Sequence, residues 1–218
     1  MSSTISRLKT LIPVEIRRGL HRARNRFILG LRFNDGIERL NLGCGDNLLD
    51  GWANVDFGGS PGVIEHDLTK PIPLPSGSIQ FIFTEHFIEH INREQAQAFL
   101  QDCFRLLKKG GVLRISTPNL RRIVDDYLKG PQPEWSDWEW SPETACQMVN
   151  GAMRLWGHQF IYDHEELEIL LKEAKFDRVE RKGWGESDFS DLRGLETREY
   201  FDDVIVEAIK GEIEALTK

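Results

Sequence analysis

Cysteine is scarce and scattered in this chain, with three residues at positions 44, 103 and 146. An odd number without regular spacing excludes a disulfide framework and points to a reducing compartment. Long apolar runs are missing too, and none approaches the ~20 residues that a membrane-spanning helix requires. The N-terminus has neither the apolar centre nor the small-residue cleavage site of a signal peptide, so none is expected. Internal repeats and low-complexity tracts are absent. What remains is ordinary globular composition, 218 residues with 40% hydrophobic and 29% charged, which suits one domain with some decoration. The location expected is cytoplasmic.

Basic residues are short in most of the chain. The net charge is −7, yet residues 1–32 hold eight Lys/Arg and one Glu. The acidic remainder argues against nucleic acid as a partner of the body. Residues 1–36 read as a basic amphipathic arm: Ile5, Leu8, Ile12, Ile16, Leu20, Phe27 and Leu31 recur near helical spacing, interrupted at Pro13. Such an arm would lie on the acidic body, on a second subunit or on the anionic inner face of a membrane, the packed alternatives being favoured because most amphipathic helices bury their apolar face in protein. Residues 37–218 form the main domain.

A third glycine is also lacking where one dinucleotide fingerprint would place it. Leu40-Asn41-Leu42-Gly43-Cys44-Gly45-Asp46 is an apolar run entering a glycine turn, but Leu48 stands at the third position of Gly-x-Gly-x-x-Gly. The acidic Asp56 also comes well before the ~20-residue spacing of NAD folds. A glycine turn still lets backbone approach a bulky ligand, and a carboxylate at the tip of the next strand can accept both hydroxyls of a ribose. A nucleoside pocket at the carboxyl edge of a parallel sheet is the reading.

The rest of the chain fits such a sheet. Residues 38–43, Ala53 to Asp56, Val63 to His66, Ile79 to Thr84 and Val112 to Ser116 read as strands one to five. Val179 to Lys182 and Val204 to Ile209 read as strands six and seven. Arg93 to Leu107 reads as a helix with a basic last turn and a glycine stop at Lys108-Lys109-Gly110-Gly111. Asp163, with Glu166 three residues on, has the form of a capping box opening a helix to about Lys175. Between them, residues 119–162 break the pattern and read as a lid-like insertion with a Trp-rich loop and a helical stretch near Ala145 to Leu155. Alternating strands and helices give a Rossmann-like, doubly wound α/β fold.

Six short motifs occur in one order: Leu42-Gly43-Cys44-Gly45, Gly51-Trp52-Ala53-Asn54-Val55-Asp56, His66-Asp67-Leu68, Pro71-Ile72-Pro73-Leu74, Glu85-His86-Phe87-Ile88-Glu89-His90 and Arg105-Leu106-Leu107-Lys108-Lys109-Gly110-Gly111. Over roughly residues 38–120 this resembles the class I S-adenosylmethionine-dependent methyltransferases, in particular their small bacterial type 11 subgroup. The resemblance implies a seven-stranded sheet with the last strand antiparallel and S-adenosylmethionine as cofactor. It places Asn41, Gly43, Cys44, Gly45, Asp56, Phe57, Asp67, Leu68 and Glu85 around that cofactor, with Asp56 on the ribose and Asp67 near the adenine amino group. The chain departs from the subgroup at Asn41, where an acidic residue is usual, and at Ser78-Ile79-Gln80, where Ser-Phe-Asp is usual.

Methyl transfer from a sulfonium asks for alignment more than for covalent help. His86 is the first candidate for a general base, with His158 and Tyr162 as residues that would reach the acceptor. His86 and His90 are four apart, which suggests a metal. The motif is not His-Glu-x-x-His, however, and no third ligand is evident, so no metal is expected. The insertion holds Trp135, Trp138, Trp140 and Trp156, which read either as flat sugar-binding faces or as a satellite core. Arg193, Glu196 and Arg198 fall in a late loop that reads either as a cover over the site, its arginines clamping a carboxylate or phosphate, or, more simply, as a solvated loop. The expected acceptor is a hydroxyl or amine of a small molecule or glycan precursor. The alternatives are a non-catalytic S-adenosylmethionine-binding module and an RNA or protein methyltransferase using the arm. Whether the chain forms oligomers stays open.

Overall fold

A computed structural model describes residues 36, 38–58, 60–138, 140–198 and 202–211. The arm at 1–36 lies outside the described residues, apart from Gly36. Seven strands form one sheet in the order β3-β2-β1-β4-β5-β7-β6. They are β1 Arg39–Leu42, β2 Ala53–Asp56, β3 Ile64–Glu65, β4 Ile79–Glu85, β5 Leu107–Thr117, β6 Arg178–Arg181 and β7 Val204–Ile209. Strands β1 to β5 pair in parallel, and β7 runs antiparallel between β5 and β6. The expected fold is therefore present, antiparallel last strand included.

The central strands carry apolar residues on both faces because helices and loops cover both. Leu40, Leu42, Val55, Ile82, Leu113, Ile115 and Val206 belong to one large core. Phe83, Val112 and Ile209 belong to a second on the opposite face, with Trp52 and Leu192. That double coverage is what a continuous apolar run in a parallel strand requires. Four helices lie in the described chain: α1 Arg93–Leu106, α2 Leu120–Lys129, α3 Ala145–Arg154 and α4 His164–Glu173. Helix α1 opens on a full capping box between Asn92 and Gln95. At α4 the Asp163 carboxylate accepts from Glu166 N at 2.9 Å, while the Glu166 side chain accepts from Arg93 Nε at 2.7 Å and so ties α4 to α1.

One boundary departs from expectation. Helix α1 stops at Leu106, and β5 begins at once with Leu107 rather than after the glycine pair. Gly110, at φ +75°, sits inside the strand, and the β4–β5 register shifts between Ile79 and Phe81. The glycines thus serve an irregular strand start, where a Cβ on Gly111 would lie 3.0 Å from Lys108 O and 3.1 Å from Gln80 O.

Candidate active site

The glycine turn after β1 and Asp56 at the tip of β2 meet at the carboxyl edge of the sheet. Gly43 N donates to Val55 O at 2.9 Å, so the turn stays latched to β2. Gly43 and Gly45 have φ of +69° and +50°, the left-handed region that favours glycine. A Cβ on Gly43 would come within 2.6 Å of the Phe87 side chain, so this position also admits no larger residue. Asp56, at the tip of β2, accepts from Gly45 N at 2.7 Å through Oδ2 and from Phe57 N at 2.5 Å through Oδ1. Beside it the Phe57 ring is 75% exposed, an unshielded flat apolar face next to a fixed carboxylate. Asp67 is held in a turn by Thr69 N at 3.0 Å and Thr69 Oγ1 at 2.6 Å, and Leu68 is buried.

Asn41 plays an internal part. It is buried, and its amide nitrogen donates to Asn47 O at 2.7 Å and to Asn54 Oδ1 at 2.9 Å. Asn54 Oδ1 also accepts from Leu49 N at 2.9 Å. The three asparagines shape residues 43–50. A carboxylate at position 41 would have no proton to give either oxygen, so the departure from the usual acidic residue has a local reason.

Glu85 ends β4 and is likewise used up internally. Its Oε1 accepts from Thr197 N at 2.7 Å and Arg198 N at 3.0 Å, and its Oε2 from Thr197 Oγ1 at 2.9 Å and Asn47 Nδ2 at 3.3 Å. Asn47 Nδ2 also donates to Leu195 O at 3.1 Å. Glu85 and Asn47 therefore fasten the late loop against the glycine turn. This brings the Arg198 guanidinium to 3.6 Å from where a Gly45 Cβ would stand.

His86 has φ +50° and follows directly. Its Nε2 lies 2.6 Å from Asp203 Oδ2 and its Nδ1 3.4 Å from Glu89 Oε1. Burial works against its charged form, but the hydrogen bond to Asp203 and the nearby carboxylates raise its pKa overall. Ser116 Oγ donates to the same Asp203 oxygen at 2.9 Å, and Thr117 Oγ1 donates to Glu89 Oε2 at 2.9 Å. Asp203 thus holds Nε2 by a hydrogen bond, while Nδ1 faces Glu89 without one.

Tyr162 needs correction. It was expected at the acceptor, but it is wholly buried in the main core. Burial and the neighbouring Glu89 push its pKa up, so its hydroxyl neither meets solvent nor ionises near neutrality. His158 is half-buried, and its Nδ1 lies 2.7 Å from Ala152 O. The Trp cluster divides: Trp135 anchors a satellite core with Ile123, Met148, Ala152 and Ile161, and Trp138 and Trp140 pack against it. Only Trp156 is exposed, at 54%. Next to this edge a cleft of about 410 Å³ opens among Asn119, Arg121, Asp163, Arg181, Lys182 and Asp203. It sits where β5 and β6 end and β7 begins, apart from the glycine turn.

A seven-stranded sheet of this order, with a glycine turn after β1 and a carboxylate tipping β2, is the frame of the class I S-adenosylmethionine-dependent methyltransferases. Residues 47–115 match a family model described as "Methyltransferase domain". A protein of Mycolicibacterium smegmatis named "Probable S-adenosylmethionine-dependent methyltransferase" is 43% identical over 56 residues, covering 26% of this chain and 21% of the relative. The match thus spans about a fifth of that curated relative's length. A methyltransferase structure from Archaeoglobus fulgidus superposes with a TM-score of 0.51 at 20% identity, over 88% of this chain and 94% of the other. The chain thus shares the class I methyltransferase fold, and residues 47–115 match that domain.

The cofactor of that class, S-adenosylmethionine, fits the residues present. The left-handed glycines leave the turn free of side chains, the fixed carboxylate suits paired hydroxyls, and the bare Phe57 ring suits a planar base. The clamp that carries Arg198 to the turn joins residues over a hundred positions apart, which sequence reading does not reveal. Among the described residues no helix is long and apolar enough to cross a membrane.

Proposed function

We propose that the chain transfers a methyl group from S-adenosylmethionine to a hydroxyl or amine of a small molecule or glycan precursor. The observation that carries the reading is the Asp56 carboxylate, fixed to Gly45 N at 2.7 Å at the tip of β2. A side chain held this way needs no reordering to receive a ribose, so its hydrogen bonds add affinity rather than offset entropy. Phe57 would cover one face of the adenine and Asp67 would approach its amino group. The Arg198 guanidinium above the turn would pair with the methionine carboxylate.

When bound, the cofactor supplies an activated methyl and its own leaving group. The chain's part is then to hold, orient and keep water out. Glu85 and Asn47 close the late loop over the turn, and His86 stiffens the end of β4 between Asp203 and Glu89. The small-molecule class of acceptor is supported by the cleft of about 410 Å³ at the same edge, which lies in the range typical of small-ligand sites, about 300–1,000 Å³.

Calorimetric titration with S-adenosylmethionine, S-adenosylhomocysteine and NAD tests the reading. Micromolar binding of both adenosyl compounds with NAD silent is the expected result. Silence from both would remove it.

A further inference from the structure

We propose that Glu89, His90 and His158 form a binding site for a divalent first-row transition metal that joins the insertion to the end of β4. One ligand-capable atom from each of the three lies within 4.8 Å of the other two. An occupied zinc site with bonds of about 2.0–2.1 Å sets its ligand atoms roughly 3.3 Å apart, so small side-chain rotations close the difference. The set differs from the His86/His90 pair that the spacing suggested: Glu89 stands in place of His86, and the third ligand, His158, comes from about seventy positions away on the far end of the insertion.

Three further observations favour a ligand over a casual cluster. First, Glu89 is completely buried, and its Oε1 has no hydrogen-bond partner; the nearest group is His86 Nδ1 at 3.4 Å. A buried carboxylate oxygen without a donor is costly unless something else satisfies it. Secondly, His158 Nδ1 lies 2.7 Å from the Ala152 carbonyl. A carbonyl only accepts, so the proton sits on Nδ1 and the lone pair is left on Nε2. Fixing one imidazole nitrogen on a backbone carbonyl is the usual outer support of a metal-bound histidine. Thirdly, the His90 and His158 rings stand edge to face with centroids 4.9 Å apart.

The backbone is already set to hold the pieces together. Gln159 N and Phe160 N both donate to Glu89 O, at 2.7 and 3.2 Å, and Gln159 Nε2 donates to His90 O at 2.7 Å. Trp156, two residues before His158, adopts φ +58°, a strained conformation for a tryptophan that turns the chain back toward His90. Two imidazoles and one carboxylate suit zinc, and iron(II) or cobalt(II) to a similar degree, and they leave an open position for water or an acceptor oxygen.

The test uses the full chain without any affinity tag, stripped with a chelator and titrated with Co²⁺ and then Zn²⁺. The expected result is visible absorption from one equivalent of tetrahedral or five-coordinate cobalt, bleached by one equivalent of zinc. Glu89→Gln, His90→Ala and His158→Ala should each weaken binding at least about tenfold. His164→Ala, outside the cluster, should leave it unchanged. Zinc should also raise the melting temperature of the wild type and not that of the three variants. His158→Gln, which keeps a donor for the Ala152 carbonyl, serves where His158→Ala unfolds the insertion. Absence of stoichiometric binding, or binding unaltered in the His158 variants, overturns the proposal. Metal binding is read without S-adenosylmethionine, so its outcome is separate from that of the methyltransferase reading.

Discussion

Arg114 donates from Nε to Glu196 Oε1 at 2.5 Å, and neither side chain reaches solvent. Arg114 lies in the middle of β5, while Glu196 lies in the loop between β6 and β7. The same guanidinium donates to Glu207 Oε1 at 2.8 Å and to Glu186 O at 2.8 Å. The cation on the central strand thus gathers both ends of the loop that also carries Arg198.

Removing one member of that group should be severe. Glu196→Gln keeps the shape but leaves part of the arginine's charge buried without its partner, and Arg114→Met leaves Glu196 with only Gly185 N and Glu207 with only the longer contact to Lys182. Breaking a buried pair from one side costs about 3–5 kcal/mol. Arg114→Met should therefore lower the urea midpoint substantially, with Glu196→Gln following to a smaller degree. Chemical denaturation of the three proteins measures this, and a near-neutral Arg114→Met would mean the network contributes little.

Asp56→Ala removes the acceptor at the tip of β2 and frees Gly45 N. Cofactor affinity should fall by about 1–3 kcal/mol, the value of the lost hydrogen bonds. The melting temperature should change little because the side chain is exposed to solvent on its bonding side. Unchanged affinity by calorimetry would show that the ribose lies elsewhere.

Glu85→Gln tests the clamp on the late loop. A glutamine offers one oxygen where the carboxylate offers two, and its NH₂ group would oppose either the Asn47 amide or the Thr197 backbone. Amide hydrogen exchange at residues 195–198 should quicken, while exchange in β5 stays slow. Equal protection at 195–198 in both proteins would mean that Glu196 holds the loop alone.

Thiol chemistry should separate the three cysteines. Cys146 is exposed, whereas Cys44 and Cys103 are buried. Burial, followed by the Asp56 charge, pushes the Cys44 thiol up to about 11. A maleimide at pH 7 should label Cys146 alone in the folded protein, as peptide mapping would read directly. The raised folded pKa means that the folded state holds the thiol proton more tightly than the unfolded chain. Its stabilising effect is complete below the unfolded value near 9.0 and is lost as pH rises through about 11. Over that window wild type should lose more stability than Cys44→Ala; parallel slopes would count against the burial effect.

The sheet was legible because its signals are local. Apolar strands, glycine turns and the Asp163 cap each lie within a few residues, and a run such as Ile79 to Thr84 admits few other structures. The glycine turn and its neighbouring carboxylate were legible for the same reason: Gly43, Gly45 and Asp56 fall within 14 positions. What sequence reading missed are contacts between distant positions. Glu85 meets Thr197, Arg114 meets Glu196, and His158 meets His90, each pair brought together by the fold alone. Tyr162 was misjudged because a tyrosine beside polar neighbours looks accessible, while its strand-like segment pairs with Asn119 beneath the insertion. Of the two readings the insertion's tryptophans allowed, Trp135, Trp138 and Trp140 follow the satellite core.

Strand β7 lies between β5 and β6, although it is made last of the three. On a growing chain, β6 emerges with no strand to pair with, and the far edge of β5 stays open until residue 209 has been synthesised. Arg114 would meanwhile wait beside that edge without Glu207, which β7 itself brings. The half of the sheet carrying the glycine turn can form during synthesis, while the late loop that closes it is positioned only once β7 is inserted. Closure of this sheet therefore waits on β7, and until β7 is in place the longest strand offers an unpaired edge to chaperones or to neighbouring copies.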